Sequence, residues 1–280
     1  MHTPTLATRF ANGTRVLRSE QPLSEEQMHR AAPSIFAADK HASRSERYTY
    51  IPTIDVLRGL AREGFEPFMV AQGVSRVEGK TEFTKHMIRL RHGRQGTVLP
   101  EAHEIILINS HDGASSYQML AGMFRFVCCN GLVVGDLVDD IRIPHKGHIQ
   151  HQVIDAAFKV LDTFRTVDES VTAMKALTLQ PQEQEAFASA ALALRYERPE
   201  GQPMPITATQ LNDPRRPQDT GASLWSTFQR VQENTLRGGL LGRTVQGRRM
   251  HTREVASIDR GVGLNRALWV LAEEMRRLKQ

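Results

Sequence analysis

The chain has 280 residues, of which 40% are apolar and 24% are charged, a composition typical of a globular protein with one large or two small domains. The sequence contains no apolar run long enough to cross a membrane, and residues 1–20 lack the apolar core of a secretory signal, so we expect a cytoplasmic protein without a membrane partner. The net charge of +5 is mild, but arginine makes up most of the basic residues and favours phosphate contacts wherever it clusters.

The N-terminal half predicts one helix followed by strands. Residues 1–44 are weakly patterned, with one short helix candidate that begins after Ser24. The segment "PTIDVLRGLAREGF" predicts a helix that Thr53 caps and Gly64 ends. Three strands are then predicted, in "EPFMVAQGVSRV", "EFTKHMIRLRHG" and "HEIILINS".

The segment "YQMLAGMFRFVCC" fits both a strand and a helix face. We favour a strand, because Asp112-Gly113 and Asn130-Gly131 on either side are hairpin-type turn signals. Cys128 and Cys129 are adjacent and would point to opposite faces of a strand, so we predict free thiols and no disulfide between them.

The C-terminal half is predicted to be mostly helical. Helical spacing of apolar residues is found in "HIQHQVIDAAFKVLDTFRTVDESVTAMKAL", "PQEQEAFASAALALRYE", "SLWSTFQRVQENTLRGG" and "LNRALWVLAEEMRRLK". The segment "LLGRTVQGRRMHTREVASIDRGVG" before the last helix is predicted to be a polar, glycine-bearing connection. The predicted fold class is therefore α+β: an antiparallel β-meander with a flanking helix, followed by a mostly helical C-terminal half. The predicted segments are an arm (1–44), an α+β core (45–198), a proline-rich linker (199–222) and a helical segment that packs back on the core (223–280).

Three motifs together resemble one protein family: "INSHDGASSYQMLAGMFRFVCCNGLVVG", "LWSTFQRVQENTLRGG" and "LNRALWVLAE". The resemblance covers residues 45–280 and is to domain of unknown function family 932, a set of phage- and plasmid-borne bacterial proteins. It implies carriage on a mobile genetic element and implies no established activity. The doubled cysteine departs from the single cysteine that we expect before Asn130-Gly131.

His111, Asp112 and Arg125 are the candidate catalytic residues. His111 and Asp112 would form an acid–base pair, with Ser110 or Ser115 as the nucleophile, and Arg125 would hold a phosphate. The same residues also fit a structural turn and a structural ion pair. Because nucleophile-elbow, Walker and dinucleotide-binding patterns are absent from the sequence, an enzyme is not favoured and no cofactor is predicted.

His145, His148 and His151 are the candidate metal ligands. Their spacing of three residues brings imidazoles near one face of a helix. Gly147 interrupts the start of that helix, and the general-base glutamate of a zincin motif is missing, so exposed histidines are the favoured interpretation and no metal is predicted.

Two basic clusters favour nucleic-acid binding. The first contains Arg76, Lys80, Lys85, Arg89, Arg91 and Arg94, and the second contains Arg237, Arg243, Arg248, Arg249 and Arg253. Such clusters suit a phosphate backbone, because neutralising phosphates releases their counterions. Phe83 is a candidate base-stacking platform, and Tyr117, Phe124 and Phe126 supply further rings. Solvated surface charge explains the clusters equally well.

The leading hypothesis is a nucleic-acid-binding protein of mobile elements that binds single-stranded DNA and forms homo-oligomers, loosely similar to phage single-strand annealing proteins. The phosphate contacts would come from Lys85, Arg89, Arg91, Arg243, Arg248, Arg249 and Arg253. Two alternatives are open. One is an enzyme that acts on a phosphate-bearing substrate through His111, Asp112 and Arg125, which requires the three to converge. The other is a protein-interaction factor that acts against host defence, which requires an exposed apolar patch.

Overall fold

A computed structural model describes residues 14–39, 52–75, 79–93, 101–113, 115–126, 130–134, 141–143, 149–197 and 201–279. The chain divides into two compact units. Unit 1 comprises Met1–Phe164 with Ala256–Ile258, and unit 2 comprises Arg165–Val255 with Asp259–Gln280. The boundary between Phe164 and Arg165 falls inside a long helix.

Unit 1 is built on an antiparallel sheet. Its strands are β1 (Thr14–Arg18), β2 (Phe65–Gly73), β3 (His86–His92), β4 (Glu101–Asn109), β5 (Tyr117–Arg125), β6 (Asn130–Val133) and β7 (Ile141–Ile143). The first six follow one another in sequence order across the sheet, and β7 pairs with β5. This is the predicted meander, and the turn signal at Asp112-Gly113 lies between β4 and β5 as expected. The second expected turn signal is misplaced, because Asn130 and Gly131 are the first two residues of β6.

Helices cover one face of this sheet. They are α1 (Glu25–Ala31), α2 (Thr53–Arg62) and the first part of α3 (Ile149–Ala176), with short 3₁₀ helices at Pro33–Phe36 and Thr81–Phe83. Ile88 and Leu90 of β3 point to this face and are fully buried. Phe164 of α3 stacks on His103 of β4 with ring centroids 4.4 Å apart, so α3 contributes to the same core.

The sheet is curled, so that the side chains on its opposite face are enclosed. Arg18 on β1 lies over the ring of Phe124 on β5, although three strands separate β1 from β5. Gly122 of β5 helps the curl, because a Cβ at this position would lie 2.8 Å from the side chain of Ile106 and 3.1 Å from the carbonyl oxygen of Leu132. This concave face contains the arginines of β3.

Unit 2 is mostly helical. Besides the rest of α3 it contains the helices α4 (Pro181–Arg195), α5 (Ala208–Asn212), α6 (Leu224–Arg237) and α7 (Ile258–Leu278). The first residue of α7, Ile258, is assigned to unit 1 and the rest of the helix to unit 2. Unit 2 also contains a hairpin of β8 (Leu241–Arg243) and β9 (Arg249–His251). Phe228 of α6 lies at the centre of its core, stacked on Trp225 and edge-on to Trp269 and Phe187. Ser223 caps α6 by accepting a hydrogen bond from the N–H of Ser226.

The α+β prediction is confirmed, and so is the strand interpretation of "YQMLAGMFR". Ser24 caps α1 as expected. Two further local expectations are wrong. Pro52, and not Thr53, is the N-cap of α2, and the side chain of Thr53 is buried. The predicted connection "LLGRTVQGRRMH" contains the β8–β9 hairpin. The predicted segment limits remain predictions; residues 201–222, within the expected linker, include α5 and the short 3₁₀ helix Pro217–Asp219.

Among the described residues, no helix combines the length and the apolar character that a membrane span requires.

Candidate functional site

A short hairpin in unit 2, residues 241–253, carries most of the second basic cluster; we call it the basic hairpin. Its paired residues are Leu241 with His251, Gly242 with Met250, and Arg243 with Arg249. The N–H of Gly247 donates to the carbonyl oxygen of Thr244 at 2.9 Å and closes the turn. Gly247 has a φ of +78°, a conformation that only glycine adopts readily. The turn therefore matches a type I turn with a bulged glycine.

The two faces of the basic hairpin differ in exposure. Gly242 is buried, and a Cβ there would collide with the carbonyl oxygen of Pro205, so this face lies close against the chain before α5. The opposite face is exposed at all four of its positions: Leu241, Arg243, Arg249 and His251. Side chains alternate along a strand, so these four share one face. Its accessible surface is therefore mainly cationic.

Arg243 and Arg249 stand directly opposite each other on this exposed face. They form a non-hydrogen-bonded pair, the arrangement that brings cross-strand side chains closest, and like charges there destabilise a sheet. Neither they nor the exposed Arg248 and Arg253 form an ion pair with a carboxylate in the described part of the chain. An anion bound between Arg243 and Arg249 would relieve the repulsion, so this face has the chemistry of a phosphate site.

The first basic cluster is arranged differently, because the curl of the sheet encloses its two central arginines. Arg89 is buried and donates from Nη1 to Glu104 Oε2 at 3.0 Å and to the carbonyl oxygen of Leu132 at 3.1 Å. Arg91 donates from Nε and Nη2 to Glu104 Oε1 at 3.1 and 2.9 Å. Glu104 is buried and holds both guanidinium groups. A phosphate would have to displace Glu104 to reach either arginine, which weighs against the predicted contacts of Arg89 and Arg91.

Arg91 is also surrounded by aromatic rings. Its guanidinium carbon lies 4.3 Å from the ring centroid of Phe68, 4.9 Å from that of Phe124 and 5.2 Å from that of Phe126. Arginine stacks readily on aromatic faces while its edge donates to a carboxylate. Phe124 and Phe126, which the sequence offered as rings for bases, therefore hold a side chain of the protein itself.

The remaining members of the first cluster have varied positions. Lys80 forms an ion pair with Asp112 at 3.3 Å, and Lys85 and Phe83 are half-buried. Arg76 and Arg94 lie outside the described residues. The two clusters belong to different units, and the exposed one is in unit 2.

Gly131 explains part of the "RFVCCNGL" motif. A Cβ at Gly131 would lie 2.5 Å from Cζ of Arg89, so only glycine leaves room for this guanidinium. Gly131 pairs with Phe124 across β5 and β6, which places it on the concave face with the arginines. The glycine of this motif is thus accounted for by the packing of a buried charge. Cys128 and Cys129 lie outside the described residues.

A second buried network lies at the other end of β3 and β4, on the helical side of the sheet. The hydroxyl oxygen of Thr53 lies 2.9 Å from Nε2 of His86, 3.2 Å from Nε2 of His111 and 3.1 Å from the Nδ2 amide of Asn109. Nδ1 of His86 lies 2.9 Å from the hydroxyl of Ser34. All five residues are completely buried. Burial, together with the neighbouring His111, lowers the pKa of His86 well below its usual range.

The single hydroxyl group of Thr53 determines which histidine nitrogen in this network donates a hydrogen bond and which accepts one. Its oxygen accepts one hydrogen bond from Asn109, which leaves one lone pair and one hydrogen for the two histidines. One Nε2 must therefore donate to Thr53 and the other must accept from it. The accepting imidazole is neutral in this arrangement, because a further proton on its Nε2 would face a hydroxyl without a free lone pair. The network is a structural one in which the Thr53 hydroxyl couples the tautomers of the two histidines.

The three candidate catalytic residues do not converge. His111 and Asp112 follow the end of β4, whereas Arg125 ends β5 and pairs with Glu101 at the start of β4. The two ends of this hairpin are about seven residues apart along the strand, or roughly 20 Å at the usual rise per residue. His111 is fully buried and Asp112 is paired with Lys80. The geometry gives no single site for an enzyme that uses these residues.

Of the candidate metal ligands, His151 is exposed on α3, and His145 and His148 lie outside the described residues. No group of three histidine, cysteine or acidic side chains suited to a metal occurs within the residues that the structure describes.

The motif "LWSTFQRVQENTLRGG" forms a polar network that the sequence did not reveal. Arg230 of α6 is buried and donates to the carbonyl oxygens of Asp219 and Gly221, both at 2.6 Å. Glu233, also buried, accepts from both terminal nitrogens of Arg216 at 2.8 and 2.6 Å. These bonds attach the segment before α6 to the helix. The signal available in the sequence was a pair of opposite charges, Arg230 and Glu233, three residues apart on a predicted helix.

Comparisons with known proteins identify the family of this chain. The profile of the family described as "Domain of unknown function (DUF932)" matches residues 40–269. Two similar proteins from Escherichia coli (strain K12), UPF0380 protein YafZ and UPF0380 protein YfjQ, are each 51% identical over 271 residues, which cover 96% of this chain and 97% of theirs. No solved structure matches. The chain therefore belongs to the DUF932 family.

Proposed function

We propose that this protein binds nucleic acid through the basic hairpin, with single-stranded DNA as the favoured ligand. The observation that carries the proposal is the exposed pair of Arg243 and Arg249, which stand opposite each other without a carboxylate partner among the described residues. Such a pair costs stability in the free protein and gains it when a phosphate bridges the two guanidinium groups. Arg248 and Arg253 add two further exposed cations along the same short stretch.

Exposed apolar side chains beside these cations favour single strands over duplex. Leu241 is 53% exposed on the arginine-bearing face, and Val245 at the turn is 48% exposed. Unpaired bases present apolar surfaces that these side chains can cover, whereas a duplex keeps its base faces stacked. An annealing activity, and self-association on the strand, would extend the same proposal, since annealing needs several single-strand sites held together.

The test is fluorescence anisotropy with labelled single-stranded and duplex oligonucleotides of matched sequence, from about 50 to 200 mM salt. Four phosphate contacts predict a slope of about −3 for log K against log salt on single strands, at roughly −0.7 per contact. Arg243→Ala with Arg249→Ala should halve that slope and weaken binding at least tenfold. The matched control is Arg62→Ala with Arg165→Ala, which removes two exposed arginines outside the hairpin.

Each outcome bears on the proposal. Equal losses from the hairpin variant and the control would show that net charge, and not the hairpin, determines binding. Absence of binding at the lowest salt would overturn the proposed function. Stronger binding of duplex than of single strands would overturn the ligand preference but leave the hairpin as the site.

A further inference from the structure

The internal hydrogen bonds of the basic hairpin decide which of its main-chain groups point outwards. Thr244 N–H donates to the carbonyl of Arg248, and Thr252 N–H donates to the carbonyl of Leu240. In an antiparallel ladder, hydrogen-bonded pairs alternate with pairs whose N–H and C=O groups point away from the partner strand. The outward groups therefore belong to Leu241 and Arg243 on β8 and to Arg249 and His251 on β9.

The outer edge of β8 is already used. The N–H of Arg243 donates to the carbonyl oxygen of Pro205 at 2.8 Å. Nε2 of Gln210 donates to the carbonyl oxygen of Leu241 at 2.7 Å. These two contacts confirm the direction in which the outward groups point, and they close this edge to any other strand.

The outer edge of β9 is open. Within the described residues, no hydrogen bond reaches the outward N–H and C=O groups of Arg249 or His251, and both residues are exposed. Two donors and two acceptors thus remain in the alternation that a further strand would require. An unpaired edge of this kind is a template on which an extended segment can add a strand.

The positive charge around the β9 edge determines which kind of segment can pair with it. Arg243, Arg248, Arg249 and Arg253 surround β9 with exposed positive charge. A second copy of the hairpin would bring the same charges and be repelled, whereas an acidic segment would be attracted. We propose that the β9 edge binds an extended acidic segment of a partner protein as an additional strand of the hairpin.

This interaction uses main-chain groups, whereas the proposed nucleic-acid contacts use side chains on the exposed face. The two are therefore separable by substitution. The same arginines attract both ligands, so we expect nucleic acid and the acidic segment to compete for the hairpin. Comparing proline with alanine at position 251 tests the edge alone, because both changes remove the same side chain and only proline removes the outward N–H, which takes no part in the pairing of β8 with β9.

The experiment measures binding of a labelled peptide of alternating glutamate and valine by fluorescence anisotropy at low salt. His251→Pro removes the outward N–H, and proline is tolerated on an open edge. We expect this variant to bind the peptide about tenfold more weakly than His251→Ala, the matched control that keeps the N–H. Both variants should bind single-stranded DNA alike, which shows that the hairpin is intact.

A second peptide keeps the proposal falsifiable if proline disturbs the hairpin. It has the same sequence with N-methyl groups on alternate residues, so its charge is unchanged but it cannot pair as a strand. The wild-type protein should bind it at least tenfold more weakly than the unmodified peptide. Equal binding of the two peptides would overturn the strand addition and indicate charge attraction alone. Absence of binding to either would overturn the proposal, whatever the DNA result.

Discussion

Thr53→Val tests the buried histidine network most directly. Valine has nearly the shape of threonine, so the packing of α2 stays the same and only the hydroxyl is lost. That hydroxyl is within hydrogen-bond distance of three buried groups, on His86, His111 and Asn109. The Oδ1 atom of Asn109 already has no hydrogen-bond partner among the residues that the structure describes. Leaving a buried polar group unpaired costs about 1–3 kcal/mol. We therefore expect the free energy of unfolding of unit 1 to decrease by about 3–5 kcal/mol.

The assay must report on unit 1. Both tryptophans, Trp225 and Trp269, belong to unit 2, so their fluorescence would follow the wrong part of the chain. Native-state hydrogen exchange of peptides from β3 and β4, read by mass spectrometry across a urea series, measures the opening of the sheet itself. Thr53→Ser keeps the hydroxyl and should lose only about 1 kcal/mol, for one buried methyl group. The exposed Thr209→Val should change nothing measurable.

The refuting result is a Thr53→Val protein within about 0.5 kcal/mol of wild type, the range of ordinary surface substitutions. It would mean that the three partners find other hydrogen bonds, and that the Thr53 hydroxyl does not constrain the tautomers of the histidines. A Thr53→Ser variant as unstable as Thr53→Val would also contradict the reasoning, because packing and not the hydroxyl would then dominate.

Three further predictions concern the sheet. Because the pKa of His86 is lowered in the folded state, the unfolded chain takes up more protons as pH falls below about 6.5; the stability of unit 1 should therefore decrease by up to about 1.4 kcal/mol per pH unit below that value, as measured by the same exchange assay. Glu104→Gln should cost about 3–5 kcal/mol by leaving buried Arg89 without its counter-charge, and a loss below 1 kcal/mol would show that the carboxylate is dispensable. Gly131→Ala should cost about 1–3 kcal/mol because its Cβ meets Arg89, whereas Gly261→Ala in α7, with nothing near its Cβ, should be neutral or stabilising in urea denaturation.

The sequence predicts the β-strands of unit 1 because their patterns are local. Alternation in "HMIRLRH" correctly separates Ile88 and Leu90 from Arg89 and Arg91, and the turn signal at Asp112-Gly113 follows the end of β4. The environment of the polar face does not follow from that pattern. Arg89 is enclosed because β6 brings Leu132 and Gly131 against it, and this contact depends on a curl formed by strands far apart in the chain.

Dependence on contacts between distant parts of the chain also explains the wrong predictions at Thr53 and at the β8–β9 hairpin. Thr53 has the composition of a helix cap, but its partners lie on β3 and at the end of β4, and tertiary bonds take its hydroxyl away from the helix terminus. The strands β8 and β9 are three residues each and contain glycine and arginine, so no apolar alternation predicts them. Their pairing follows from the tight turn at Gly247 and from the support of Pro205, which only the folded chain reveals.

The position of the unit boundary inside α3 has a consequence for synthesis on the ribosome. Apart from Ala256–Ile258, every strand and helix of unit 1 is translated before Arg165. Because chains emerge at a few residues per second and N-terminal parts fold first, the curled sheet can form while the second part of α3 is still inside the exit tunnel. A chain that stalls at that stage would therefore present a nearly finished sheet covered by only half of a helix.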